Sequence, residues 1–188
     1  MLKSIARKLF LDKRKALTAS DCMKMDDLLL IQFQRIDWSS VQCIGSFYPL
    51  DHQNEPDSLL LIRHLKLIIP GLVVVYPRVN QDQITMSYFI ETETVEINKW
   101  GIPEPLPISL IAPSKIDAIL VPLIGFDEIG HRIGFGKGFY DRYFEQYPSD
   151  RNRIGISYFE PIPKIEDTHE FDVPLTHCIT PWNRYEFK

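Results

Sequence analysis

The chain has 188 residues, 45% of them hydrophobic and 24% charged, with a formal net charge of −4; this is the make-up of a soluble globular protein with room for a substantial core, and it argues against a general nucleic-acid binder. No apolar run approaches the length of a membrane span. Cys22, Cys43 and Cys178 lie far apart in no metal-ligand spacing and read as reduced thiols of a cytoplasmic protein.

Residues 3–17 read as an amphipathic helix, with Ile5, Ala6, Leu9 and Phe10 at helical spacing. Its first part is basic: Lys3, Arg7, Lys8, Lys13, Arg14 and Lys15 face only Asp12. A basic, acid-poor amphipathic start fits either an organelle transit peptide or an ordinary first helix. Thr18-Ala-Ser-Asp21 has the spacing of a capping box and predicts a second helix to about Arg35. A strand over Val41–Phe47, a polar loop over Tyr48–Asp57 and a helix over Ser58–Ile68 follow. Gly71 punctuates the chain. The β-branched run 72–76 then predicts a strand ending at Pro77, and 84–90 predicts another. Pro103, Pro105, Pro107 and Pro113 make 101–113 extended or irregular. The run 116–124 reads as a strand buried on both faces, 138–147 as a helix, and 153–158 and 177–180 as short strands. Strands alternating with helices predict one α/β domain over 1–188, built on a largely parallel central sheet with helices on both faces.

The most informative segment is Gly134-Phe-Gly-Lys-Gly-Phe-Tyr-Asp141. Alternate glycines permit close approach of backbone to a ligand, and a helix begins at once. A glycine-rich loop feeding a helix N-terminus aims free N–H groups and a positive dipole end at one spot, where phosphate binds well. The spacing is neither that of a Walker loop nor that of the dinucleotide fingerprint. On the glycines alone, a flexible hairpin tip is the equal alternative; Arg132, Lys137 and Arg142 close by favour a phosphate site.

The segments Val121-Pro-Leu-Ile-Gly-Phe-Asp127 and Gly130-His-Arg-Ile-Gly-Phe-Gly-Lys-Gly-Phe-Tyr-Asp141 resemble the motifs of the 5-formyltetrahydrofolate cyclo-ligase (methenyltetrahydrofolate synthetase) family. Shorter resemblances run in order along the chain: Lys3 with Arg7, Glu55-Pro-Asp-Ser58, Tyr76-Pro-Arg78, Met86, Trp100-Gly-Ile-Pro-Glu-Pro105 and His169-Glu-Phe-Asp-Val-Pro-Leu175. Two positions depart from the family pattern. Leu123 stands where the family often has glycine, and Phe135 where some members have a second arginine. Because the resemblance begins at Lys3, it implies that residues 1–15 are a structural helix.

The resemblance implies a three-layer fold similar to the sugar-phosphate isomerase/CoA transferase-like fold. It also implies an ATP- and Mg²⁺-dependent enzyme acting on a reduced folate. Composition leaves neither nucleic acid nor membrane as partner; the oligomeric state is not fixed by the sequence, with a monomer favoured. On the family resemblance Lys3, Arg7, Trp100, Arg132, Gly134, Gly136, Lys137 and Gly138 hold the nucleotide. Glu55, Met86 and Tyr140 meet the folate, Asp141 holds the metal, and Arg132, Lys137 and Tyr140 serve the reaction. Each residue also has a plainer reading. Lys3 and Arg7 fit a solvated helix face, Trp100 and Tyr140 the core, Glu55 a surface loop, and Asp141 a helix-dipole partner. Asp127, His131, His169 and Asp172 read as structural. Two other functions share the phosphate loop: a phosphosugar isomerase, and a nucleotide- or folate-binding module without catalysis.

Overall fold

A computed structural model of the chain describes residues 1–148 and 151–187. Helix α1 (Lys3–Lys15) is followed by α2 (Ala19–Phe33), and the predicted capping box is present. The Thr18 hydroxyl accepts the Asp21 N–H at 3.2 Å, and the Thr18 N–H donates to the Asp21 carboxylate at 2.9 Å. Strand β1 (Cys43–Gly45) leads through a loop into α3 (Ser58–Ile68), whose first turn is capped by the Asp57 side chain. Then come β2 (Val73–Val79), β3 (Met86–Ile90), β4 (Val95–Ile97), β5 (Pro103–Pro105) and β6 (Ala118–Pro122). The chain finishes with β7 (Gly125–Phe126), β8 (Arg132–Ile133), α4 (Phe139–Gln146), β9 (Asn152–Ile156), β10 (His177–Ile179) and β11 (Arg184–Glu186).

One seven-stranded sheet has the order β11-β10-β9-β6-β1-β2-β3. The strands from β10 to β2 run parallel, and an antiparallel strand closes each edge, β11 against β10 and β3 against β2. Strand residues alternate between two cores. Ile44, Val74, Leu120 and Ile154 face α2 and α3, packing on Phe33, Leu61 and Leu65. Cys43, Val75, Ile119 and Val121 face the other way, toward Tyr143 and Phe144 of α4. The expected three layers are therefore present. Helix α1 lies elsewhere: Ala6 and Phe10 pack with Ile124 and Ile133, so α1 caps the small β7–β8 hairpin at the end of β6.

The connection from β1 through α3 leads to β2 on one side. That from β6 through α4 leads to β9 on the other side. The crevice between the ends of β1 and β6 is thus a topological switch point, where α/β sheets bind ligands.

Several elements differ from the sequence expectation. Strand β2 does not stop at Pro77; it runs to Val79. The N–H of Asn80 donates to Thr85, and that of Glu91 to Val74, so even-numbered residues of β2 pair with β3. Pro77 faces the side where β1 has already ended at Gly45, and its missing N–H leaves no ladder bond unmade. The proline-rich stretch contributes β5, which pairs with β4, and neither strand is predicted. Strands β7, β8 and β11 are also unpredicted. Among the described residues no helix is long and apolar enough to cross a membrane.

Candidate active site

Over the switch-point crevice lies a cavity of ≈ 480 Å³. All the residues assigned to nucleotide, folate or metal line it: Lys3 and Arg7 from α1, Glu55 from the loop after β1, and Met86 from β3. Trp100 comes from the β4–β5 loop, and Arg132, Gly134, Gly136, Lys137, Gly138, Tyr140 and Asp141 from β8 to α4. Residues as far apart in sequence as Lys3 and Asp141 converge here because β1 and β6 are neighbours and α1 lies across their ends.

The glycine loop is held in shape by its own backbone and by two arginines. Gly136 (φ 85°) and Gly138 (φ 67°) occupy left-handed backbone that a side chain would strain. Gly134 does not, and a Cβ there would meet nothing within 4 Å. Its contribution is its carbonyl, which accepts the Arg7 Nε–H at 2.9 Å. Gly138 is the N-cap of α4 and supplies no capping side chain, which leaves first-turn N–H groups for a ligand. Arg142, expected among the phosphate cations, is committed otherwise. Its guanidinium donates to the Lys137 carbonyl at 2.7 Å and the Ile84 carbonyl at 2.8 Å, strapping the loop to the β2–β3 turn. Lys137 is exposed within the cavity.

Arg132 is largely buried. It donates to the Asp141 carboxylate at 2.5 Å and to the Val173 carbonyl. Burial lowers its pKa, and the Asp141 charge opposes that; the guanidinium stays charged. Asp141 Oδ1 also accepts the Val173 N–H at 3.2 Å. Its second oxygen makes no hydrogen bond among the described residues, so Asp141 has both a partner and a spare acceptor. Lys3 is paired as well, its ammonium donating to Asp172 at 2.5 Å. Asp172, structural by its sequence pattern, also lines the cavity. Burial raises its pKa, but hydrogen bonds from Lys3 and the His169 N–H outweigh this and hold it below the usual carboxylate range.

Glu55 is buried, not a surface-loop acid. One oxygen accepts the Leu50 N–H at 3.0 Å. The loop that carries it is tied down at Asp57, whose N–H donates to Asp26 at 3.0 Å, and at the Glu55 carbonyl, which the Tyr158 hydroxyl approaches at 3.4 Å while donating to the same Asp26 at 2.8 Å. Tyr140 is partly buried, and burial raises its pKa, so it is a neutral phenol at physiological pH. Trp100 meets Phe139 edge to face, with 5.7 Å between ring centroids. It therefore both packs and lines the cavity. The wall beside it includes a residue the sequence reading missed: buried Glu104 accepts the Val79 N–H at 3.0 Å and the Asn98 amide at 2.8 Å, fixing the β4–β5 hairpin against β2.

Residues 2–181 match the 5-formyltetrahydrofolate cyclo-ligase family. The chain belongs to this family. A cyclo-ligase of Mycoplasma pneumoniae is 32% identical over 162 residues, covering 84% of this chain and 86% of that protein. The solved 5,10-methenyltetrahydrofolate synthetase of Aquifex aeolicus superposes with a TM-score of 0.80 at 25% identity, covering 100% of this chain and 94% of that one. The solved synthetase from Mycoplasma pneumoniae gives 0.75 at 28% identity, over 95% and 98%. The family expectation, the α/β fold and the assignment as a ligase of one-carbon folate chemistry therefore hold together. In a cyclo-ligase the cavity at the switch point is the candidate active site. Behind the cavity stands a residue the sequence reading missed, Arg14, although its signal is legible: it follows Arg7 by seven positions, two helical turns, on one face of α1.

Proposed function

We propose that this chain closes the ring of 5-formyltetrahydrofolate to give 5,10-methenyltetrahydrofolate, converting ATP to ADP and phosphate. The observation that carries the reading is a cavity in which cations, a glycine loop and a buried carboxylate converge. The chemistry needs little more. A formamide oxygen is a poor leaving group until it takes up a phosphoryl group. The neighbouring folate nitrogen then attacks the activated carbon, and the oxygen leaves as phosphate. No protein nucleophile is required; the protein orients two substrates and neutralises charge on the moving group.

In this reading Lys137, Arg132, Lys3, Arg7 and the loop amides bind the polyphosphate, and Trp100 lies against the nucleotide. Glu55 accepts hydrogen bonds from the amino and N–H donors of the pterin, Met86 lines the apolar wall, and Tyr140 contacts the folate near its formyl group. Phe135, exposed on the same loop, has no charge to offer. Mg²⁺ would neutralise phosphate charge when bound, and the donor set suits it. Among the described residues no group of three or more His, Cys, Asp or Glu could hold an ion alone. Asp141 brings a spare carboxylate oxygen to the cavity, and Mg²⁺ is usually held by one or two carboxylates plus substrate phosphates and water. Free thiols at Cys22, Cys43 and Cys178 support a reducing, cytoplasmic setting.

The test is to mix the protein with 5-formyltetrahydrofolate and MgATP. Methenyl-folate absorbance and ADP should rise in equal amounts. Binding of either ligand without ADP would leave a non-catalytic module. ATP-independent turnover of a sugar phosphate would make the protein an isomerase.

A further inference from the structure

Arg14 is the largest fully buried side chain among the described residues, at 1% exposure, and it stands behind the cavity. It does not line the cavity. Its Nη1 lies 3.9 Å from Glu55 Oε1, its Nη2 donates to the Leu123 carbonyl, and its Nε and Nη1 have no hydrogen-bond partner among the described residues. A buried guanidinium is costly unless a charge compensates it, and Glu55 is the carboxylate that faces it. The two ends of the pair are independently anchored. The Arg14 carbonyl accepts the Asn54 amide at 2.8 Å, beside Glu55, and the Leu50 N–H holds the carboxylate from the other side.

We propose that Arg14 is a positioning residue: it holds the Glu55 carboxylate ionised and in place, so that its open acceptor positions meet the donor edge of the substrate. The inference rests on the folate role of Glu55 proposed above.

The chemistry of the pair gives it force. Burial pushes the Glu55 pKa up; the Leu50 N–H, the Arg14 charge and, more weakly, His52 pull it back. Tyr140 also feels the Glu55 charge. Arg14 in turn is flanked by Tyr158 and Cys22. A protonated Glu55 would present an O–H toward substrate donors, a mismatch that a carboxylate avoids. Because arginine does not deprotonate, it is a fixed counter-charge that a lysine or histidine in the same burial would not be. Helix α1 thus carries Arg7 against the phosphate loop and Arg14 against Glu55, on one rigid rod.

The test pairs a titration with kinetics. In the intact protein, carboxyl NMR should give Glu55 a lower midpoint than in Arg14→Met, by about one pH unit or more. The Michaelis constant for folate should rise about tenfold in Arg14→Met and that for ATP should not move, with kcat/KM for folate gaining an acid limb at higher pH. Arg14→Lys should recover part of both effects, and Arg14→Met/Glu55→Gln should bind folate no worse than Glu55→Gln alone. An unchanged Glu55 midpoint would overturn the inference. So would a double variant additively worse than its parents. A shifted midpoint with unchanged folate affinity in every variant would instead remove the folate role of Glu55. If Arg14→Met does not fold, Arg14→Lys carries the titration, and a Glu55 that is protonated at pH 7 in the unmodified protein is itself an overturning result.

Discussion

Lys137 and Asp141 sit four residues apart on the same loop-to-helix junction, yet their surroundings make them different experiments. Lys137 is exposed in the cavity, so Lys137→Ala removes a cation at little structural cost. A hydrogen bond to a charged group is worth ~1.5–3 kcal/mol, so ATP affinity should fall about tenfold to a hundredfold, with folate affinity and melting temperature unchanged. Calorimetric titration decides; native ATP affinity in the variant would remove Lys137 from the phosphate site. Asp141 is another matter. From its place in the first turn of α4, Asp141→Asn would be expected to leave stability intact, because asparagine keeps an acceptor at a helix start. The structure changes that expectation. Asp141 Oδ1 takes hydrogen bonds from Arg132 and the Val173 N–H, and the Arg132 side chain is only 6% exposed. Removing the negative charge leaves a buried guanidinium with weaker compensation. Asp141→Asn should therefore lower stability by about 1.5–3 kcal/mol as well as raise the Mg²⁺ needed for half-maximal rate. A denaturant melt and a magnesium titration separate the two losses; a variant that melts like the parent would mean that Arg132 finds Val173 sufficient.

At the scale of elements, the site depends on how α1 seats on the β7–β8 hairpin, and Gly125 is the contact that permits it. A Cβ built there would lie 2.3 Å from the Phe10 ring carbons, a distance that a rigid aromatic cannot yield to by rotating. Gly125→Ala should push α1 outward, costing about 1–3 kcal/mol by overpacking and weakening ATP use through displaced Lys3 and Arg7. A thermal melt alongside the ATP titration checks both; loss of stability with native ATP affinity would show that α1 tilts without moving its cations. This is also where sequence reading reaches its limit. The capping box of α2, the helix after the glycine loop and the i, i+4 pair of Lys3 and Arg7 are local patterns, and local patterns are written in the chain. Strands β4, β7, β8 and β11 are two or three residues long and exist only because a partner strand lies beside them. Likewise, nothing near Arg142 in sequence announces that it will tie Lys137 to Ile84, and nothing near Asp172 announces Lys3. Those pairings belong to the tertiary fold.

On the scale of the whole molecule, the sheet carries its ligand crevice at one end while its far edge, β10 with β11, closes the fold, and the two can be separated by pH. His177 lies in β10, half-buried, with Nδ1 3.0 Å from the Thr176 hydroxyl. Burial pulls its pKa below 6.5, and Glu186 opposes this only in part. The unfolded chain therefore binds more protons than the folded one once the pH drops below the ordinary histidine value. Stability due to a neutral His177 is present above that value and is lost as pH falls through the lowered folded pKa. Half-buried Asp26 and buried Glu55 act with the opposite sign: burial raises them, so they favour the folded state as pH falls toward the carboxylate range and reduce that advantage as it rises. The net curve mixes both, and a single substitution isolates the histidine. His177→Gln keeps a polar group beside Thr176 and cannot take up a proton. Melting temperature followed from pH 8 down to pH 5 should fall less steeply below pH 6.5 in His177→Gln than in the parent, while the two curves run parallel above it. ATP and folate affinities should be equal in the two proteins at neutral pH, since His177 is remote in the sheet order from β1 and β2. Parallel melting curves across the whole range would mean that β10 and β11 open enough to let His177 protonate in place, and the sheet edge would then be the looser end of the molecule.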